Sequence, residues 1–372
     1  MNDTAVCAIG GDSHVHCWDD GLLTSGAPFG DRKALDGFVE DVRHDAAASF
    51  DDLVARVGPP SGFRPHRYGP FDHPVQLVVG EGHACVLEES GAVACWGGVN
   101  LGGQIGDGTT VARHAPARPV GLPAVRAMTA GRWHTCGTTC DGDVFCWGQV
   151  DDGPYETRPK LLEALPGEAL SVAAGRSHTC AVMANGTAFC WGEIGGEGWS
   201  ASSAPAQVLG VSGIVELSGG DSFGCARLAT GEVWCFGRER SDGVLGQGKW
   251  VPGERTVRID GISDAVALSS RDRFTCALER SGDLVCWGSL APGFSYGGTH
   301  STPRRITASD IPQSALLPPP DFEGAELLPE SLPPMEEVAV GWGNVCGFAE
   351  RAMYCWGHRR GGRWIGHVFA VP

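Results

Sequence analysis

From Val125 to Gly148 the chain passes through three short apolar stretches divided by glycine turns. The first carries Val125, Ala127 and Met128. The second follows the loop Gly131-Arg132-Trp133-His134 with Thr135-Cys136. The third, after Asp141-Gly142, is Val144-Phe145-Cys146-Trp147-Gly148. Each stretch has strand length, and turn residues rather than a helical period separate them, which predicts β-strands. The same pattern recurs every roughly 45 to 50 residues, a period that marks a radial array of small sheets.

A pair of cysteines marks every unit: Cys7/Cys17, Cys85/Cys95, Cys136/Cys146, Cys180/Cys190, Cys225/Cys235, Cys276/Cys286 and Cys346/Cys355. Of the 15 cysteines only Cys140 is left over, and it reads as a free surface thiol. Midway between Cys136 and Cys146 lies Asp141, so a loop of Cys140, Asp141 and Gly142 makes the two cysteines direct cross-strand partners. A three-residue hairpin of this kind needs a left-handed residue at its third position, where glycine is at ease. Gly91, Gly186, Gly231 and Gly282 occupy the same place in four other units. Cysteines so opposed either form a disulfide inside each hairpin or remain reduced as small apolar filling between sheets; the regular pairing favours the disulfides.

The histidine of Gly-x-x-His is present as His83, His134 and His178 but is replaced by Phe223, Phe274 and Asn344 in other units. A position that accepts phenylalanine is predicted to serve packing or hydrogen bonding rather than catalysis. The ten-residue cysteine spacing is not a zinc pattern, and no nucleophile elbow, phosphate-binding loop or His-Glu-x2-His motif is present. No cofactor or metal is expected. A net charge of −16 opposes binding to a phosphate backbone, and no apolar run reaches the roughly 18 residues of a membrane helix. Nucleic acid and membrane are therefore not expected partners.

The motifs Gly102-Gly103-Gln104-Ile105-Gly106-Asp107-Gly108 and Gly243-Val244-Leu245-Gly246-Gln247-Gly248, together with Gly-x-x-His-Thr-Cys and Cys-Trp-Gly, resemble the regulator of chromosome condensation repeat family, in a cysteine-rich form that looks bacterial. The resemblance implies an all-β, seven-bladed β-propeller with four-stranded blades around a central channel. The count of seven also follows from the cysteines. Relatives in that family include exchange factors for a small GTPase, a photoreceptor and a β-lactamase inhibitor.

One propeller domain is expected over residues 1–372, with two insertions. Residues 19–74 contain Leu35, Phe38, Val39, Val42, Phe50, Leu53 and Val54 at helical spacing, which predicts an amphipathic helical insertion between blades one and two. Residues 290–335 are acidic and rich in proline, including Pro318-Pro319-Pro320, which predicts a long extended loop before blade seven. The C-terminal run Val368, Ala370, Val371 aligns with Val125, Ala127, Met128 if the chain is closed on itself, and so is expected to supply the inner strand of the first blade. Its spacing from Cys355 also permits an outer strand of the seventh. Paired cysteines favour an extracytoplasmic location, and a native start at Met1, with no leader, a cytoplasmic one.

The loops entering the second strand of each unit place Arg132, Trp133, Arg176, Asp221, Phe223, Arg271, Asp272, Arg273 and Trp342 near the channel mouth on one face. Arginine and aromatic residues are the commonest interface anchors. The expected function is a non-enzymatic, monomeric scaffold that binds a protein or peptide through this face. The competing reading is an enzyme with a pocket at the channel mouth acting on a peptide or natural product. Thiol titration of the denatured, unreduced protein tests the bridges: about one free thiol is expected if all seven pairs are oxidised, against about fifteen for none.

Overall fold

A computed structural model describes residues 5–9, 13–19, 66–150, 154–194, 202–238, 243–248, 254–289, 300–306, 333–340, 344–349, 352–359 and 363–370. The described residues contain strands and no helix. They form seven antiparallel sheets, six of four strands and one, the first, of three. The architecture is that of a β-propeller. The expected helical insertion at 19–74 and the proline-rich insertion at 290–335 lie largely outside the described residues, but their bounds are corrected: His66–Tyr68 is the last strand of the first sheet and His300–Arg305 the last strand of the sixth.

Within a sheet the order of strands follows the chain. Val125–Ala130, Trp133–Thr139, Val144–Gln149 and Glu156–Leu161 make the third sheet. The register sets Cys136 opposite Cys146, and it likewise sets Cys7 opposite Cys17 and Cys346 opposite Cys355. Gly142 has φ of 83° and donates to Thr139 O, while Thr139 N–H donates to Asp143 O, the hairpin read from the sequence.

Five of the expected pairs are disulfides with both ends described: Cys85–Cys95, Cys136–Cys146, Cys180–Cys190, Cys225–Cys235 and Cys276–Cys286. Cys17 differs from these five. It is fully buried and disulfide-bonded, but the side chain of Cys7, its expected partner, lies outside the described residues. The expected Cys7–Cys17 bridge therefore rests on the bonded state of Cys17 and on the cross-strand register. For Cys346 and Cys355 only the register is described. Cys140 is free and exposed.

The core lies between sheets rather than within one. Cys85, Cys95, Val125, Met128 and Trp147 form one buried cluster shared by the second and third sheets, and Phe223, Cys225, Ile259, Leu268 and Trp287 another shared by the fifth and sixth. Trp96, Trp147 and Trp287 are almost fully buried. Their indoles contribute large apolar area to the gap between neighbouring sheets.

The first strands of the second to seventh sheets line one central cavity of about 670 Å³. Each such strand ends its sheet and exposes one backbone edge to the next. Side chains bridge these edges. Gln76 exchanges two 2.9 Å hydrogen bonds with the backbone of Met128. Thr129 Oγ1 accepts from Ala174 N–H at 2.9 Å, Ser218 Oγ from Ser270 N–H at 2.7 Å, and Ser269 Oγ from Val340 N–H at 2.9 Å. Buried edges are thus satisfied without merging the sheets.

The C-terminal strand, Arg363–Ala370, pairs with Ala352–Arg359 through eight consecutive residues and is the outer strand of the last sheet. The expected closure of the first blade by this strand is therefore not what the structure shows. The near neighbour in the chain wins, because a short hairpin brings the two strands together with little loop entropy.

The glycine of Gly-x-x-His has a specific cause. A Cβ on Gly131 would lie 2.0 Å from the His134 ring and 2.7 Å from Gly175 O; Gly80 and Gly175 are equally tight against His83 and His178. Gly131→Ala is expected to destabilise by ~2 kcal/mol or more through overpacking. Gly167→Ala, where nothing lies within 4 Å, should stay within ~0.5 kcal/mol. Urea midpoints of the two variants check this.

Candidate functional site

The loops between first and second strands meet in a belt around one channel mouth. Glu81 N–H donates to Arg132 O at 3.2 Å, Arg132 N–H to Arg176 O at 3.0 Å, Arg176 N–H to Gly220 O at 3.0 Å, and Asp221 N–H to Asp272 O. Five sheets are thereby tied loop to loop. The side chains follow the same circuit: Arg132 pairs with Glu81, and Arg176 with Asp221 at 3.3 Å. Burial holds the Asp272 carboxyl above its ordinary range, with Arg273 opposing that shift. Its backbone sits at φ 51°.

Beneath the belt the histidines make a second circuit. His83 Nε2 lies 3.0 Å from Thr135 Oγ1, and His134 Nε2 2.8 Å from Thr179 Oγ1. Thr135 Oγ1 in turn donates to Gln104 O at 3.0 Å. Its hydroxyl proton is therefore committed, and His83 must donate through Nε2–H. For His178 the next sheet offers Gly224 instead of threonine, because a Cβ there would stand 2.7 Å from the Phe236 ring. The ring of His178 interacts instead with the Phe223 backbone.

Gln104 O also receives Trp147 Nε1–H at 2.8 Å, and Val244 O receives Trp287 Nε1–H at 3.1 Å. The two glycine-rich loops therefore cap the indole of the following sheet. Phe236 needs no such cap. The loop that holds Gln104 is itself pinned by Asn100, whose Nδ2 donates to Thr109 O at 3.0 Å and Val111 O at 2.9 Å, and whose Oδ1 accepts from Ile105 N–H at 3.0 Å.

Of the residues predicted for this face, Arg132, Arg176, Arg271 and Asp272 surround a space of about 10 Å³, room for a single water at most, and Asp221 joins them through Arg176 and the Asp272 backbone. Salt-bridged through Arg132 and Arg176 and belted loop to loop, they leave no substrate-sized space between these five loops. Phe223 is a correction: its ring is fully buried against Gly220, since it replaces the packed histidine of the repeat rather than facing solvent. Trp342 lies outside the described residues. Trp133 is 37% exposed, with the Arg132 guanidinium 4.2 Å from its ring centroid, a cation–π contact that holds the indole in place.

Beside Trp133 the sequence reading missed three exposed apolar side chains: Leu101 (79%), Val111 (59%) and Tyr155 (52%). Asn100 fixes the first two on one loop. That loop reaches Trp133 O through Gly102 and Glu156 O through Gly103. The readable signal was a leucine and a valine placed in a glycine-rich loop with no strand to bury them.

Comparison with known proteins agrees with this architecture. The Regulator of chromosome condensation (RCC1) repeat matches residues 125–153 and 170–198. A human RCC1 domain-containing protein 1 is 35% identical over 80 residues. These two matches show RCC1-type repeats in this part of the chain. That alignment covers 21% of this chain and spans about a fifth (21%) of the human relative's length. Among solved structures, Prp20p from Saccharomyces cerevisiae superposes with a TM-score of 0.62 at 17% identity, covering 76% of this chain and 72% of that one. Human WBSCR16 superposes at 0.61 and 17%, covering 81% and 82%. Both share the fold. The RCC1 repeat model falls on the third and fourth sheets, which the His134–Thr179 contact joins.

The buried histidines set a pH limit. Burial, the largest cause, lowers His83 and His134 to about 3 and His178 to about 4, from 6.5. Each stays neutral in the folded protein while its unfolded counterpart gains a proton below pH 6.5. Stability is therefore lost as pH falls from about 6.5 towards 4, by ~1.4 kcal/mol per pH unit per histidine, and levels off once the folded form protonates. Replacing His178 with Phe, the residue the repeat uses at position 223, is expected to remove about a third of this slope in urea titrations between pH 7 and 5.

Proposed function

We propose that the chain is a non-enzymatic, monomeric scaffold that binds a protein or peptide through the loop face of its propeller. The observation that carries this reading is the exposure of Leu101 and Val111 on a loop that buried Asn100 and Gln104 make rigid, with exposed Trp133 and Tyr155 on the adjoining third sheet. A contiguous exposed apolar surface marks an interaction site, and a rigid one loses little entropy on binding. Trp and Tyr are the residue types that most often anchor interfaces.

The charged residues of the mouth act differently from the apolar cluster. Arg132, Arg176, Asp221, Arg271, Asp272 and Arg273 hold the loops in register, and Arg132 also orients Trp133. The fold relative Prp20p is described with its binding to Gsp1p and histones, which supports a protein partner for a scaffold of this shape. A net charge of −16 disfavours nucleic acid. In this reading residues 1–372 act as one domain, and the insertions at 19–74 and 290–335 modulate access to the faces; no cofactor is assigned. Affinity capture with the full chain is expected to recover a partner that Trp133→Ala and Leu101→Ser each retain at least tenfold less well. Equal recovery by all three proteins would overturn the assignment of this face.

A further inference from the structure

The opposite end of the channel has a different character, and it originates in a bulge repeated from sheet to sheet. In five sheets the register of the inner strand slips after its first residue, leaving Val75, Arg126, Leu170, Val215 and Val266 without a cross-strand partner. Val125 N–H and Ala265 N–H donate to the hairpin glycines Gly91 and Gly231 of the preceding sheets. The bulges therefore sit at the cysteine-hairpin end. Met335 N–H donates to Gly282 O in the same way, which puts Glu336 at the corresponding place in the seventh sheet.

A bulge re-aims its side chain out of the ladder, and here the result is a collar around the channel. Three consecutive sheets contribute Leu170 (43% exposed), Val215 (46% exposed) and half-buried Val266. Arg126 and Glu336, both exposed, flank this apolar arc on its two sides. Val215, Val266 and Glu336 line the 670 Å³ cavity, a volume within the ordinary range of ligand sites. The charged residues of that lining are Glu216, Glu336 and Glu337 against one cation, Arg227. Arg227 is held by Glu216 at 2.6 Å. The mouth thus combines aliphatic side chains with a net negative potential, which low-dielectric walls focus along the channel.

We propose that this mouth is a docking site for a basic, aliphatic segment of a protein partner, whose branched side chains rest on Leu170, Val215 and Val266 and whose lysine or arginine reaches Glu336. Charge complementarity selects this occupant: Glu216 and Arg227 pair with each other, Arg126 at the rim donates to Ala169 O, and the carboxylates Glu216, Glu336 and Glu337 outnumber these two cations. The site is separate from the loop face and does not depend on Trp133.

The test uses fluorescent full-length protein and a bead-bound, positional-scanning hexapeptide library. Wild type is expected to select Lys or Arg beside Leu, Ile or Val. Leu170→Ser combined with Val215→Thr should lower retention at least tenfold, and Glu336→Lys should turn the charged preference towards Asp and Glu. Glu336 is exposed, so its variant keeps the test decisive even if the double variant fails to fold. Trp133→Ala should leave the selection unchanged. The absence of any selection by wild type overturns the proposal, as does a selection that both channel-end variants preserve. Loss of selection in Trp133→Ala would also overturn it, by moving the bound peptides to the loop face.

Discussion

Neighbouring sheets must stand side by side without fusing, and everything else in the molecule accommodates that constraint. An inner strand exposes a row of backbone donors and acceptors to the next sheet, at a spacing and twist that forbid a continuous ladder. Gln76, Thr129, Ser218 and Ser269 reach across and satisfy the donors, and Glu216 does the same for Leu268 N–H at 3.2 Å. An unsatisfied buried N–H costs about 1–3 kcal/mol, so short polar side chains in the channel wall are structural there. Between the fourth and fifth sheets the gap closes differently: Gly219 lies so near Ala174 and Gly175 that a Cβ would meet their backbone at 2.5 to 2.6 Å.

The two ends of the channel then diverge for the same reason. At the loop end, backbone-to-backbone bonds run continuously from Glu81 to Asp272, so the charges there serve one another across five sheets. At the hairpin end the bulges interrupt the ladder and turn side chains outward. What the repeat spends on rigidity at one end leaves its variable positions free at the other.

Much of this was legible in the residues, and the boundary of legibility is instructive. Cysteine spacing and the glycine of the Cys140-Asp141-Gly142 turn depend on local geometry alone, so the hairpins and their register could be read directly, whereas spacing left each pair open between a bridge and two packed thiols. The family resemblance supplied the four-stranded sheet. Phe223 was misplaced because a loop position was judged by residue type, whereas burial is decided by the packed ring it replaces. Leu170 and Val215 carried a signal, two successive apolar residues where alternation calls for one, but only the pairing shows that the second is bulged. The bond from Gln76 to Met128 joins residues 52 apart, and nothing in the sequence between them announces it. The C-terminal strand left two registers open, and chain proximity decided.

The five fully described sulfur bridges join strands of the same hairpin and never one sheet to its neighbour. Covalent closure is consequently local, while the cohesion of the array rests on tryptophan packing, histidine–threonine contacts and the loop belt. A peptide bond cut inside any of these bridged turns, for instance at Cys140–Asp141, would leave both fragments tethered across the same strand pair. Damage at the tips of these hairpins is thus contained within single sheets, and none of the five bridges ties one sheet to the next.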